Sequence, residues 1–161
     1  MVPNTDVMNQ TVVDLRNDLG LHIGQVARLT NYLLDNQFHR AGYNITREQW
    51  SLMKLLWEQD GQSQQKLADR LMKNRASITS LIDNLQKQNL VVRVPNQQDK
   101  RSKLVYLTQQ GSELQEPLAD VFEATSQYSF RDIDEKKLET CMEVLLKVIK
   151  NIKAGPGGRR Y

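Results

Sequence analysis

Residues 74–108, NRASITSLIDNLQKQNLVVRVPNQQDKRSKLVYLT, constrain the fold more than any other part of the chain. The stretch opens with Ile78, Leu81, Ile82 and Leu85 at three- and four-residue spacing, which places them on one side of a helix. Arg75, Ala76, Ser77, Thr79, Ser80, Asp83, Asn84 and Lys87 occupy the other side, which is short, polar and uncrowded at its N-terminal end. Asn89 stands where a left-handed helix stop is expected, with Leu90 beyond it to fold back onto the last turn. Two β-branched runs follow, residues 91–94 and 104–107, separated by PNQQDKRSK. They predict a hairpin with a long, basic connection.

The segments before this stretch complete a recognisable order of elements. A helical pattern builds through Val12, Leu15, Leu19, Ile23, Val26 and Leu33, close to a heptad seam, after a polar and irregular first dozen residues. Gly20 and Gly24 each weaken it by about 1 kcal/mol relative to alanine, so a break or bend is expected near them. Thr46 with Gln49 forms a capping box for a second helix carrying Trp50, Met53, Leu56 and Trp57. Ser63 caps a third, with Leu67, Ala68 and Leu71 inward, and the turn Met72-Lys73-Asn74 leads straight into the fourth. Two short helices joined so tightly make a helix-turn-helix, and the hairpin after them is a wing. Thr108 then caps a fifth helix in which Pro117 produces a kink or marks the true start. A sixth follows Asp134, with Leu138, Met142, Leu145, Ile149 and Ile152 along one seam. The fold class expected is mainly α with a small β-hairpin wing. One domain spans residues 1–152, with the winged core at about 45–108, flanking helices at about 10–41 and 109–152, and a flexible tail over 153–161. The apolar stripes of the flanking helices need a partner. A homodimer built on Leu15, Leu19, Leu138, Met142, Leu145, Ile149 and Ile152 supplies one.

Charge adds a functional direction. Residues 62–105 hold nine lysines and arginines against three aspartates, a net of +6 in a chain whose total is only +3. Such clustering is the electrostatic footprint of a nucleic-acid binder. The single cysteine, Cys141, allows neither an intramolecular disulfide nor a cysteine metal cluster; flanked by Glu139 and Glu143, it is read as a packed, inert thiol. His22 and His39 have no cysteine or carboxylate at ligand spacing, so no metal site is expected. No signal peptide, membrane span, glycine-rich phosphate loop or nucleophile elbow is visible, which leaves a soluble cytoplasmic protein with no catalytic signature.

The wing resembles that of the MarR family of bacterial transcription regulators. Asp99-Lys100-Arg101 followed by Val105-Tyr106-Leu107-Thr108 is similar to the family's D-x-R and its apolar-x-Leu-Thr strand end. Thr46-Arg47-Glu48-Gln49-Trp50 resembles its second-helix opening, and Leu67-Ala68 and Asn89-Leu90-Val91 its helix-turn-helix landmarks, with Asn89 where the family usually has glycine. The resemblance covers residues 19–152 and implies a two-fold dimer, a repressor, binding double-stranded DNA at a palindromic operator. Recognition helices would enter major grooves and wings neighbouring minor grooves. Arg75, Ala76, Ser77, Thr79, Ser80, Asn84 and Lys87 are the candidate groove contacts, and arginine, serine and threonine all suit base edges. Lys73, Lys100 and Lys103 add charge, and Arg101 suits a narrow minor groove with Asp99 bracing its guanidinium. Ser63 and Gln64 offer backbone N–H groups to a phosphate, or serve simply as a cap. The family also implies a small aromatic effector between the dimer helices and the winged core. Tyr32, Trp50 and Trp57 are candidates for lining that cleft, with ordinary core packing as their alternative. No cofactor is expected. The rival reading is a winged-helix module that docks a protein and not DNA.

Overall fold

The computed structural model describes residues 5–99 and 102–155. Its first element, α1 (Thr5–Arg40), is one helix of 36 residues that runs through Gly20 and Gly24 without a break. Once a helix is nucleated, each further residue adds a hydrogen bond at little extra cost, so two glycines inside so long a helix are tolerated. The same propagation carries it back to Thr5, through a start expected to be irregular. Gly42, with φ of +87°, ends it: Tyr43 N–H reaches back to Phe38 O at 2.9 Å.

Helix α2 (Arg47–Glu58) opens with the capping box read from the sequence, Thr46 N–H donating to Gln49 Oε1 at 2.8 Å and Gln49 N–H to Thr46 Oγ1 at 3.3 Å. A two-residue strand, β1 (Gln62–Ser63), precedes α3 (Gln64–Leu71), and Ser63 Oγ caps that helix by accepting from Lys66 N–H at 3.2 Å. Met72 takes the left-handed conformation, φ 51°, so that Asn74 can cap α4 (Arg75–Lys87), accepting from Ser77 N–H at 2.8 Å. Asn89 is also left-handed, φ 58°, and Leu90 N–H bonds Leu85 O while Asn89 N–H bonds Gln86 O, both at 3.0 Å. This is the complete Schellman arrangement, formed here on asparagine.

The wing consists of β2 (Val91–Pro95) and β3 (Lys103–Leu107), paired antiparallel with Val91 opposite Leu107 and Arg93 opposite Val105. The sheet has three strands, order β1-β3-β2, and not the two of a simple hairpin. Gln62 pairs with Val105, and its buried side chain donates from Nε2 to Leu55 O and Gln59 O, both at 2.6 Å, stitching β1 to the end of α2.

Pro117 marks a new start, not a kink. A short α5 (Gln109–Glu113), capped by Thr108, gives way at Leu114 to α6 (Gln115–Ser129), in whose first turn the missing proline N–H has no intrahelical acceptor to lose. Helix α7 (Glu135–Ala154) follows the Asp134 cap and takes up the first residues of the expected tail; residues 156–161 lie outside the described part.

The core runs from Leu34 and Phe38 on α1 through Leu52, Met53 and Leu56 to Leu67, Ile78, Ile82, Leu85, Val105 and Leu118. Helix α7 contributes nothing to it and buries no residue. Trp50 stacks on Phe122, ring centroids 4.4 Å apart, and so joins α2 to α6. At the base of the wing Thr108 Oγ1 donates to Asn89 O at 2.7 Å, and a Cβ on Gly111 would lie 2.1 Å from Leu90 O. Gly111→Ala therefore has to push the start of α5 off the wing. We expect it to lower the free energy of unfolding by about 1–3 kcal/mol, measured by urea denaturation.

Candidate nucleic-acid interface

Helix α4 divides as its periodicity requires. Ile78, Ile82 and Leu85 are fully buried, while Arg75, Ala76, Ser80, Asn84 and Lys87 are exposed and Ser77 and Thr79 half-exposed. At 13 residues it is about 20 Å long, enough to lie along a major groove. The hydrophobic contacts thus supply a rigid seat, and the polar side chains stand outward from it.

The third helix and the wing flank this exposed row. Gln64 Nε2 donates to Thr79 Oγ1 at 3.3 Å, and Thr79 Oγ1 in turn donates to Arg75 O at 2.9 Å. Ser63 is engaged as the α3 cap. Gln64, Arg75, Thr79, Asp83, Arg93, Ser102 and Lys103 line one notch between helix and wing. The structure therefore brings four candidates, Gln64, Arg75, Thr79 and Lys103, from α3, α4 and β3 to one face. Asp99 is exposed near the wing tip, where Ser102 N–H donates to Asp99 O at 3.0 Å. Lys100 and Arg101 lie outside the described residues.

Three side chains of the basic cluster turn out to be engaged elsewhere. Lys73 Nζ lies 2.5 Å from Glu48 Oε1 on α2, and Arg70 pairs with Glu58 at 2.6 Å. Arg93, counted only as charge in the sequence, is held inward by Asp83 at 2.6 Å and Gln86 Oε1 at 2.9 Å. The signal for this was present: Arg93 alternates in phase with Val91, whose side chain is buried.

The three aromatic candidates do not meet. Tyr32 is exposed on α1, Trp50 is buried against Phe122, and Trp57 donates from Nε1 to Gly111 O at 3.0 Å. A separate cavity of about 180 Å³ lies between α1, α2 and α6, lined by Leu34, Arg47, Phe122, Thr125, Ser126 and Phe130 among others. Trp50 stands behind its Phe122 wall. No run of residues in the sequence announces this space, because its lining comes from three distant elements.

Of the seam residues, Leu15, Leu19, Met142, Ile149 and Ile152 are exposed and Leu138 and Leu145 partly so. Cys141 is exposed too, not packed, on a helix that buries none of its residues. Among the described residues no group of three or more metal-ligating side chains gathers. No helix there is long and apolar enough to cross a membrane.

Residues 45–103, from the buried Ile45 to the first residue of β3, match the model of the MarR family. Over these residues the winged helix is similar to that of MarR-family proteins. YybA of Bacillus subtilis, an HTH-type transcriptional regulator, is 26% identical over 136 residues, 84% of this chain and 89% of its own length. Among solved structures, reduced AbfR bound to DNA is similar with a TM-score of 0.74 at 23% identity, over 90% of this chain and 98% of that one. CouR of Rhodococcus jostii RHA1, bound to p-coumaroyl-CoA, has a TM-score of 0.70 at 22% identity, over 83% of this chain and 93% of that one. At these identities the two structures establish a shared fold. The relatives are transcription regulators, not enzymes.

The tight turn between α3 and α4 makes Lys73 a separable test of surface charge. Its pair with Glu48 is partly exposed, so Lys73→Ala is expected to change the free energy of unfolding by less than about 1 kcal/mol in a urea titration. A greater loss would show that the turn depends on the pair.

Proposed function

We propose that this chain is a DNA-binding transcription regulator, a repressor that grips a palindromic operator as a homodimer. The observation that carries the reading is the outward row Arg75, Ala76, Thr79, Ser80 and Asn84, seated on a buried apolar face beside a basic wing. The DNA complex of AbfR, which shares the fold, supports it. The assignment divides into two modes of readout. Arg75 and Ser80 read base edges in the major groove, while Arg101 enters the minor groove and responds to its width and charge. Lys87, Lys100 and Lys103 add sequence-independent attraction to phosphates.

Support for the dimer comes from the unfilled demand of the outer helices. Helix α7 buries none of its residues, and Met142, Ile149 and Ile152 are 56%, 40% and 63% exposed. Leu15 and Leu19 on α1 are 60% and 49% exposed. A two-fold partner covers both stripes and sets two recognition helices on one face of the duplex. The cavity beside Arg47 and Phe122 suits a small anionic aromatic effector, and CouR, with its bound p-coumaroyl-CoA, is a precedent for ligand binding within the fold. Such an effector acts only by binding the DNA-free form more tightly than the DNA-bound one.

An operator selected from random duplexes, then titrated against a scrambled duplex across a salt series, tests the assignment. Arg75→Ala or Ser80→Ala is expected to lose discrimination, on the order of 1–3 kcal/mol for a bidentate contact. Arg101→Ala is expected to weaken both duplexes together and flatten the salt slope by about one counterion per wing. A chain that selects no sequence and binds no duplex would instead be the protein-docking module. For assembly, Leu145→Lys with Ile149→Lys is expected to shift sedimentation at micromolar concentration from dimer to monomer and to lower operator affinity. A wild-type monomer would remove the dimer from the proposal.

A further inference from the structure

The wing and the recognition helix touch through one charged side chain that neither base reading nor phosphate attraction uses. Arg93 lies opposite Val105 across the β2–β3 ladder, and opposed residues of an antiparallel pair point to the same face. Val105 is fully buried, so Arg93 issues from the inner face of the wing, toward α4. Its side chain is only 15% exposed. A guanidinium cannot be left there unpaired, and α4 supplies acceptors on successive turns. Asp83 Oδ1 lies 2.6 Å from one terminal nitrogen, which also donates to Thr79 O at 3.4 Å, and the other donates to Gln86 Oε1 at 2.9 Å. Residues 79, 83 and 86 form a single stripe of the helix. The flat fork of arginine reaches all three, which the single nitrogen of a lysine does not.

We propose that Arg93 is a positioning residue that locks the wing to the recognition helix, and that it is not itself a DNA contact. The lock sets where Lys103 and the wing tip stand relative to Arg75 and Ser80. It also neutralises Asp83, a carboxylate on the same notch that would otherwise face phosphates. The part of this that concerns DNA rests on the regulator reading above. The lock itself does not, because it is a property of the free protein.

The test therefore has two arms. Amide hydrogen exchange on DNA-free protein should show Val92, Val94 and Leu104 exchanging about tenfold faster in Arg93→Ala, with α1 and α2 unchanged; about tenfold corresponds to about 1.4 kcal/mol. Operator titrations should show Arg93→Ala and Asp83→Ala each losing affinity and discrimination by about tenfold, with the double variant losing no more than either single one. Arg93→Lys should behave as Arg93→Ala, since it keeps the charge and loses the fork. The salt slope should stay that of wild type in all of them. Three results overturn the proposal: wing amides as protected in Arg93→Ala as in wild type, full rescue by lysine, or a slope flattened by about one counterion, the mark of a phosphate contact. If wild type selects no operator while the wing amides still loosen, the regulator reading fails and the lock stands.

Discussion

Burial of one face of α4 is the interaction on which everything else in this structure depends. Ile78, Ile82 and Leu85 are wholly removed from water, against Leu52, Met53 and Leu56 of α2, Leu67 of α3 and Val105 of the wing. Each such side chain is worth about 1.5–3 kcal/mol in transfer from water. That row is the floor of the winged core, and it leaves the opposite side of the same helix free to carry polar groups. A recognition surface needs this division, because side chains that read another molecule can contribute little to holding their own helix in place. Two left-handed residues within the winged core, Met72 and Asn89, mark the ends of α3 and α4 and turn the chain sharply into the next element, which keeps the unit small.

The wing is tied to that floor in three different ways. Short β1 adds a third strand beyond the hairpin and is anchored to α2 by the buried Gln62 amide. Thr108 and Gly111 press the start of α5 against the end of α4 and the beginning of β2. Arg93 joins the wing's inner face to α4 itself. The first two connections also run outward, since α5 leads directly into α6, which meets α1 and stacks Phe122 on Trp50. A displacement of α6 is therefore mechanically continuous with the base of the wing. Beyond α6 the chain changes character. Helix α7 carries an apolar seam as regular as any in the molecule, and among the described residues none of that seam is fully buried.

Local physics made much of this legible in advance. The capping box at Thr46, the caps at Ser63, Thr108 and Asp134, and the stop at Asn89 involve groups within a few residues of one another, so residue type and spacing suffice to read them. The inward row of α4 and the two long strands of the wing follow from periodicities of 3.6 and 2 in the same way. The misreadings have equally plain causes. Gly20 and Gly24 were weighed as single residues, whereas a long helix averages over its whole length. Pro117 offered a kink or a start, and only the loss of helix at Leu114 distinguishes them. Cys141 reads as packed and inert from its acidic neighbours Glu139 and Glu143, but burial is set by what a helix packs against, and α7 buries none of its residues.

The sequence by itself determined the caps of α2, α3 and α5, the two long strands of the wing and which face of α4 is buried, because each of those outcomes turns on neighbours along the chain. Only the tertiary structure decided which charges of the basic cluster are available. Arg70, Lys73 and Arg93 each meet an acidic group on another element, at sequence distances that no periodicity encodes. The same holds for β1, two residues long, whose partner strand lies some forty residues away, and for the cavity between α1, α2 and α6. Charge is read from composition as a sum, but a charged side chain acts by where it points, and direction is set by the packing of elements that are remote in the chain.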